Sequence, residues 1–365
     1  MSGCATIGRH AGAVPPARTV RPLGHYLKAT LSRFDVWLAD GTGPPVVELL
    51  VNRPGEIWIE RAGGAMAREA VPDIDERFLA TLARQIASYA GQAISEARPL
   101  LGATLPGGER IQIVRPPAAP DGHALAIRRP VVRRLNLDAY AKLGAFGSTR
   151  AAGAGTTRER LVDLHARRDW TGFLRAAVRA RLNILVSGGT STGKTTFLNT
   201  LLAEIDPGDR VITLEDVREI DISHPNRLHL VAERDAEGRG GAGATAGVGP
   251  TALLEASLRM RPDRLVLGEL RGAEAFAFLR AINTGHPGSL TTVHANSPSG
   301  AMEQVALMAL QAGQGLARAD SLALVSGLVD VIVQLERAGG RRGVACVWYA
   351  PASHADHDPK AAHLP

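Results

Sequence analysis

The stretch NILVSGGTSTGKTTFLNTLLAEI, residues 183–205, constrains the chain more than any other. Its apolar opening reads as a buried strand, and Phe197, Leu198, Leu201 and Leu202 follow at helical spacing. Between them lies Gly188-x-x-x-x-Gly193-Lys194-Thr195, the spacing of a phosphate-binding loop. Glycine lets such a loop turn its N–H groups inward, at the positive end of the helix that follows. The binding candidates are therefore Gly188, Gly189, Thr190, Ser191, Thr192, Gly193, Lys194, Thr195 and Thr196. Lys194 is placed to reach the β- and γ-phosphates of a nucleotide, and Thr195 to offer a hydroxyl to Mg2+. The chain holds only four lysines, Lys28, Lys142, Lys194 and Lys360, so a lysine here is not an effect of composition. The bland alternative is a glycine-rich turn that binds nothing.

A phosphate-binding loop needs an acid at the end of a neighbouring strand, to order Mg2+ or the attacking water. RPDRLVLGELRG supplies Glu269 after apolar Leu265, Val266 and Leu267. VITLEDVREI supplies Glu215 and Asp216 directly after a strand, with Glu219 further on. Thr195 and Glu269 are the metal-ligand candidates. Two histidines, His286 and His294, stand in NTGHPGSLTTVHANSP, and taken alone they fit metal ligands, bases or sensors. No nearby cysteine and no third histidine completes a metal site around them.

With 365 residues the chain is long enough for two domains, and 45% hydrophobic with 21% charged residues is a globular composition. Residues 1–22 read as a flexible arm and 23–130 as a small α/β domain. In the latter, PVVELLVN and EIWIE form strands around a turn at Arg53-Pro54-Gly55, ERIQIV and HALAIRRP two more, and Phe78, Leu79, Leu82, Ile86 and Tyr89 mark an amphipathic helix. Residues 131–180 read as a basic linker ending in a helical run. Residues 181–350 alternate buried-type strands with helices, which implies a largely parallel sheet. A mobile loop is expected at 233–250 and a disordered tail at 351–365. Arg128 to Arg181 holds thirteen Lys or Arg against four Asp or Glu, a solvated face or a contact for anionic lipid, nucleic acid or an acidic partner. No apolar run reaches the roughly 18 residues of a membrane span, and the first twenty residues lack the apolar core of a signal peptide. A cytoplasmic protein is expected. Cys4 and Cys346 are too far apart in sequence to suggest a disulfide framework.

SGGTSTGKTTFLN, TLEDVREI, LRMRPDRLVLGELRGAEAFAFLRAINTGHPGSLTTVHANSP and VNRPGEIWIE together resemble the secretion traffic ATPases. Among these the chain is most similar to the VirB-type ATPases of type IV secretion and conjugation machines, over residues 23–350. The resemblance implies an N-terminal α/β domain, a RecA-like P-loop NTPase C-terminal domain, ATP and Mg2+, and a homohexamer. It places that ring peripherally, at the cytoplasmic face of the bacterial inner membrane, with the inner-membrane components of the secretion system as partners. It also implies roles for single residues. Glu215, Asp216 and Glu219 match the acidic box, Glu269 the Walker B acid, and His294 a γ-phosphate sensor. Arg110 and Arg128 match arginines that the N-terminal domain brings over the nucleotide, with Arg129 an extra candidate. His286 would shape its loop or meet a neighbouring subunit. One departure is Ser191, in the middle of the loop where many relatives carry glycine.

The function expected is a hexameric ATPase that couples hydrolysis to domain movement, for transfer of DNA or protein. A pilus assembly or retraction ATPase is the sibling alternative, and a nucleotide-dependent scaffold with little hydrolysis comes from another class. A helicase shares the core, but only 4% of residues are aromatic and no stacking platform stands out. Direct contact with nucleic acid stays open.

Overall fold

Val46–Val51 (β1) turns back through Arg53-Pro54-Gly55 into Glu56–Arg61 (β2), as the sequence implies. The computed structural model describes residues 23–38, 43–130, 156–233 and 247–350, with Lys142 besides. The expectations for 1–22, 131–155, most of 233–250 and 351–365 lie outside the described residues.

β1 and β2 belong to an antiparallel sheet of six strands, in the order β3-β2-β1-β6-β5-β4. The others are Ala67–Ala70 (β3), Leu100–Thr104 (β4), Arg110–Val114 (β5) and Ala124–Arg128 (β6). Helices Leu23–Leu31 (α1) and Asp35–Leu38 (α2) precede it. Glu76–Ala90 (α3) starts at Asp75, whose side chain accepts from the Phe78 N–H, and ends at Gly91 in the left-handed region. Leu79, Leu82 and Ile86 of α3 are buried against Leu49, Val51 and Ile57. Phe78 and Tyr89, also expected on that face, are only partly buried.

The other face of this sheet is buried as well. Leu50, Trp58, Val114 and Ala126 join an apolar cluster with Ile212, Leu214, Leu228 and Leu254 of the second domain. β1 is therefore covered on both sides, which explains why it has no exposed face.

The second sheet has seven strands in the order β13-β12-β7-β11-β10-β8-β9. Ile184–Gly188 (β7), Val211–Glu215 (β8), Arg264–Leu267 (β10), Leu290–Val293 (β11) and Val331–Ala338 (β12) are the strands expected from sequence. Arg227–Val231 (β9) and Arg341–Tyr349 (β13) are additions, and only β13 runs antiparallel to its neighbour. Thr156–Ala166 (α4) and Trp170–Arg179 (α5) form two helices where the sequence suggests one run. Arg168 takes a φ of 58°, and Asp169 caps α5 by accepting from the Gly172 N–H. Leu161, Phe173 and Val178 from this pair pack on β7 and β12. Lys194–Leu202 (α6), Pro250–Ser257 (α7), Glu274–Asn283 (α8), Pro298–Leu310 (α9) and Arg318–Leu328 (α10) complete the domain. No helix among the described residues is long and apolar enough to cross a membrane.

Polar contacts lock the two domains. Arg210, fully buried at the start of β8, donates to Asn226 Oδ1 at 2.9 Å, to Asn52 Oδ1 from the first domain, and to the Met260 carbonyl at 2.9 Å. Asn52 donates in turn to Asn226 Oδ1 at 2.9 Å. Arg261 grips Glu60 with two bonds of 2.6 and 2.7 Å. Burial pushes the Arg210 guanidinium down to about 9, with Arg261 acting in the same direction. Truncating Asn52 removes a partner from a buried charge, so Asn52→Ala is expected to cost about 1–3 kcal/mol. Urea unfolding of the purified chain checks this, and an unchanged midpoint would make the contact incidental.

Glu48 on β1 adds a pH dependence. Burial raises its carboxyl from 4.5 to about 7, against the opposing Arg128 at 3.5 Å. The folded state therefore holds a proton that the unfolded state has released, and stability falls as pH rises from about 4.5 through 7. Glu48→Gln, which stays neutral, is expected to raise Tm relative to the parent more at pH 8 than at pH 5. Equal shifts at both pH values would contradict this.

Candidate functional site

The C-terminal ends of parallel strands, with helix N-termini beside them, are where an α/β sheet offers a polar cavity. Here β7 runs straight into the loop 189–193, and α6 begins at Lys194. Ser191 takes a φ of 61° and Gly193 a φ of 92°, so two left-handed residues make the turn. Serine accepts this conformation at a cost that glycine avoids. Thr192 Oγ1 donates to the Gly189 carbonyl at 2.9 Å and holds the loop closed. A cavity of about 530 Å³ opens above it, within the usual range for a small-molecule site.

Lys194 sits at the centre. Its ammonium donates to the carbonyls of Gly188 at 3.1 Å and Gly189 at 3.2 Å, and lies 3.2 Å from His294 Nδ1. His294 Nε2 is 2.9 Å from Glu269 Oε1. The Lys194 ammonium is almost as close to His294 Nε2, at 3.3 Å, so it lies beside both ring nitrogens and the three groups are held together by proximity and charge. Burial holds the Lys194 ammonium below the ordinary lysine value; Glu269 opposes this and Arg271 adds to it. An anion arriving here relieves that penalty.

The acids approach from the far side of β7. Glu269 follows β10 and is paired with Arg271 at 2.6 Å. Arg271 also reaches Asp216 at 3.4 Å. Glu215 ends β8 and turns inward, where its Oε1 accepts from the N–H groups of Glu219 at 2.9 Å and Ile220 at 2.7 Å. Burial raises its carboxyl, and those two bonds oppose the rise. Glu219 is thereby aimed at α6, where its carboxylate accepts from the Thr195 hydroxyl at 3.1 Å.

The donor set fits Mg2+ bound together with a nucleotide. That ion takes one or two protein ligands and leaves the rest to phosphates and water. Thr195 with its carboxylate neighbour Glu219 is such a pair, and Glu269 lines the same cavity. No group of three or more His, Cys, Asp or Glu among the described residues forms a separate metal centre.

Thr190 to Thr196, Glu215, Asp216, Glu219, Glu269 and His294 all line this cavity. Gly188 lies just beneath, at the end of β7, and Gly189 bounds the loop. Arg110 and Arg128 do not line it. They face each other across β5 and β6, and Arg128 is 3.5 Å from Glu48. The Arg129 N–H pairs with the Val47 carbonyl at 2.9 Å. His286 stands apart from the cavity, its Nδ1 3.2 Å from the Ala281 carbonyl near the end of α8. Two arginines that line the cavity escaped the sequence reading, Arg271 and Arg342. The first stands only two positions after Glu269, a spacing that could have flagged it. The second comes from β13, and no local signal marks it.

Comparison with known proteins agrees with this geometry. The Type II/IV secretion system protein family matches residues 161–342. The type IV secretion system protein VirB11 of Brucella suis is 40% identical over 324 residues, covering 86% of this chain and 88% of that protein. VirB11 of Bartonella quintana is 38% identical over 320 residues, covering 83% and 88%. The PtlH homolog of Bordetella bronchiseptica is 42% identical over 313 residues, covering 83% and 90%. Among solved structures, the Brucella suis VirB11 ATPase in complex with sulphate superposes with a TM-score of 0.80 at 38% identity, over 90% of this chain and 98% of that one. The second domain is accordingly a RecA-like ATPase domain, and the chain belongs to the VirB11 family of type IV secretion system ATPases.

Proposed function

We propose that this ATPase works as a homohexameric ring, at the cytoplasmic face of the inner membrane, and converts ATP hydrolysis into movement of its N-terminal domain. The observation that carries the reading is the chain Lys194–His294–Glu269, which ties the phosphate-binding loop to β11 and β10. A γ-phosphate competes for the Lys194 ammonium and offers His294 a new acceptor. Its loss after hydrolysis returns both groups to each other. β11 is hydrogen-bonded between β7 and β10, so a shift at His294 is felt across the sheet.

Glu269 is the Walker B acid in this reading, and Glu219 with Glu215 supports the Mg2+ ligand Thr195. Mg2+ supplies charge neutralisation between the β- and γ-phosphates when bound. Arg110 and Arg128 act as cationic fingers when the N-terminal domain closes on a nucleotide of the ring. Both are exposed, opposite each other at one end of the β5–β6 pair, which suits such a reach. Transfer of DNA or protein, through the inner-membrane components of a type IV system, is the work the cycle drives. The basic residues between 128 and 181 favour peripheral attachment to anionic lipid.

Lys194→Ala is expected to lower ATP turnover on the order of a hundredfold or more, with the fold intact by circular dichroism. Phosphate release by the purified chain measures this, and near-normal turnover would refute the loop assignment. His294→Ala is expected to slow turnover on the order of a hundredfold while changing ADP affinity less than about threefold, because ADP lacks the phosphate it senses. Equal loss of ADP and ATP binding would make His294 a general pocket residue. Arg128→Ala is expected to lower kcat on the order of a hundredfold if it closes as a finger; an unchanged kcat removes it from the site.

A further inference from the structure

The β12–β13 hairpin reaches past the sheet. β12 pairs with β7 as far as Leu335 opposite Gly188, where β7 ends. The hairpin continues through Glu336, Arg337 and Ala338, turns at Gly339-Gly340 and returns through Arg341 and Arg342. Both glycines have positive φ, 57° and 81°, the conformation of a tight two-residue hairpin turn. The tip is thus a short rigid arm beside the phosphate-binding loop.

Arg342 from this arm lines the same cavity as Lys194 and Thr195. Its Cδ lies 3.4 Å from where a Cβ on Gly193 would stand. The absence of a side chain at Gly193 therefore serves the left-handed turn and leaves room for the arginine stem. Arg342 faces Arg337 in the strand register, and neither makes an ion pair among the described residues. Like charges directly opposite each other destabilise a hairpin. An anion beside them removes that penalty. The strand order sets Arg342 apart from the acids. Glu269 and Glu215 reach the loop from β10 and β8, on one side of β7, whereas Arg342 comes from β12 and β13 on the other.

We infer that Arg342 is a nucleotide-binding residue supplied within the same subunit, and that it holds the part of the nucleotide common to ATP and ADP rather than the γ-phosphate. The inference rests on the ATPase reading of this cavity. Its role is affinity: the contact is the same before and after hydrolysis, so it does not favour the transition state.

The test is calorimetric titration of the full chain with ADP, and with a non-hydrolysable ATP analogue, each with Mg2+. Arg342→Ala is expected to raise both Kd values by a similar factor, on the order of tenfold for a lost charge-assisted hydrogen bond. Arg342→Lys should recover part of the affinity. Arg341→Ala is the control, since neighbouring strand residues point to opposite faces and Arg341 does not line the cavity. An unchanged ADP Kd in Arg342→Ala overturns the inference. So does a loss of kcat with ADP affinity intact, which would make Arg342 a γ-phosphate group. Lys194→Ala in the same titration separates the readings: if it too leaves binding unchanged, the cavity assignment itself fails.

Discussion

The burial of Arg210 is the constraint on which the arrangement of the molecule turns. A guanidinium with no access to solvent must find acceptors. Neither domain supplies enough of them alone. Asn226 and the Met260 carbonyl come from the ATPase domain, and Asn52 comes from the N-terminal sheet. Arg210 immediately precedes β8, and Glu215 ends that strand in the cavity. A single five-residue strand thus runs from the domain lock to the acid that orients Glu219. Whatever shifts β8 lengthwise is felt at both ends.

This linkage gives the proposed domain movement a physical route. Glu219 meets Thr195 at one end of β8, and Asn52 meets Arg210 at the other. The contacts beside the lock are ionic, as in Arg261 with Glu60 and Arg218 with Asp121 at 2.9 Å. Ionic contacts at an accessible interface exchange partners at lower cost than packed apolar surface. The apolar cluster of Leu50, Trp58 and Leu228 sets the opposing demand, since opening it exposes surface to water.

The phosphate-binding loop and Glu269 were legible in sequence because their signals are local: a rare lysine at fixed spacing, and an acid behind an apolar run. The buried-type strands were legible for the same reason. β3 is a four-residue charged stretch, and the alternation of Arg227, Leu228, His229 and Leu230 in β9 is too brief to stand out. The exposed start of β13, Arg341 to Cys346, hides a strand that becomes buried only at Val347 and Tyr349. α4 and α5 read as one helix because Asp169 carries its cap signal inside a charged run, HARRDW, that is itself compatible with helix. Arg342 lay beyond sequence reasoning altogether, because the fold alone joins it to a loop some 150 residues earlier.

The antiparallel strand β13 has one more consequence, for how copies of the chain can meet. It closes one border of the parallel sheet, and its exposed start carries Arg341 and Arg342. At the other border, β9 gives its Val231 N–H to the Ala118 carbonyl of the N-terminal domain at 2.9 Å. In the first sheet, the outer strand β3 has only four residues and includes Arg68 and Glu69. Charged, short or covered borders resist extension of a sheet from one molecule into the next. Copies that meet along these three borders would touch through side chains rather than through a shared backbone ladder. Such a seam can slide and re-form without unravelling any strand, in keeping with the ring proposed above.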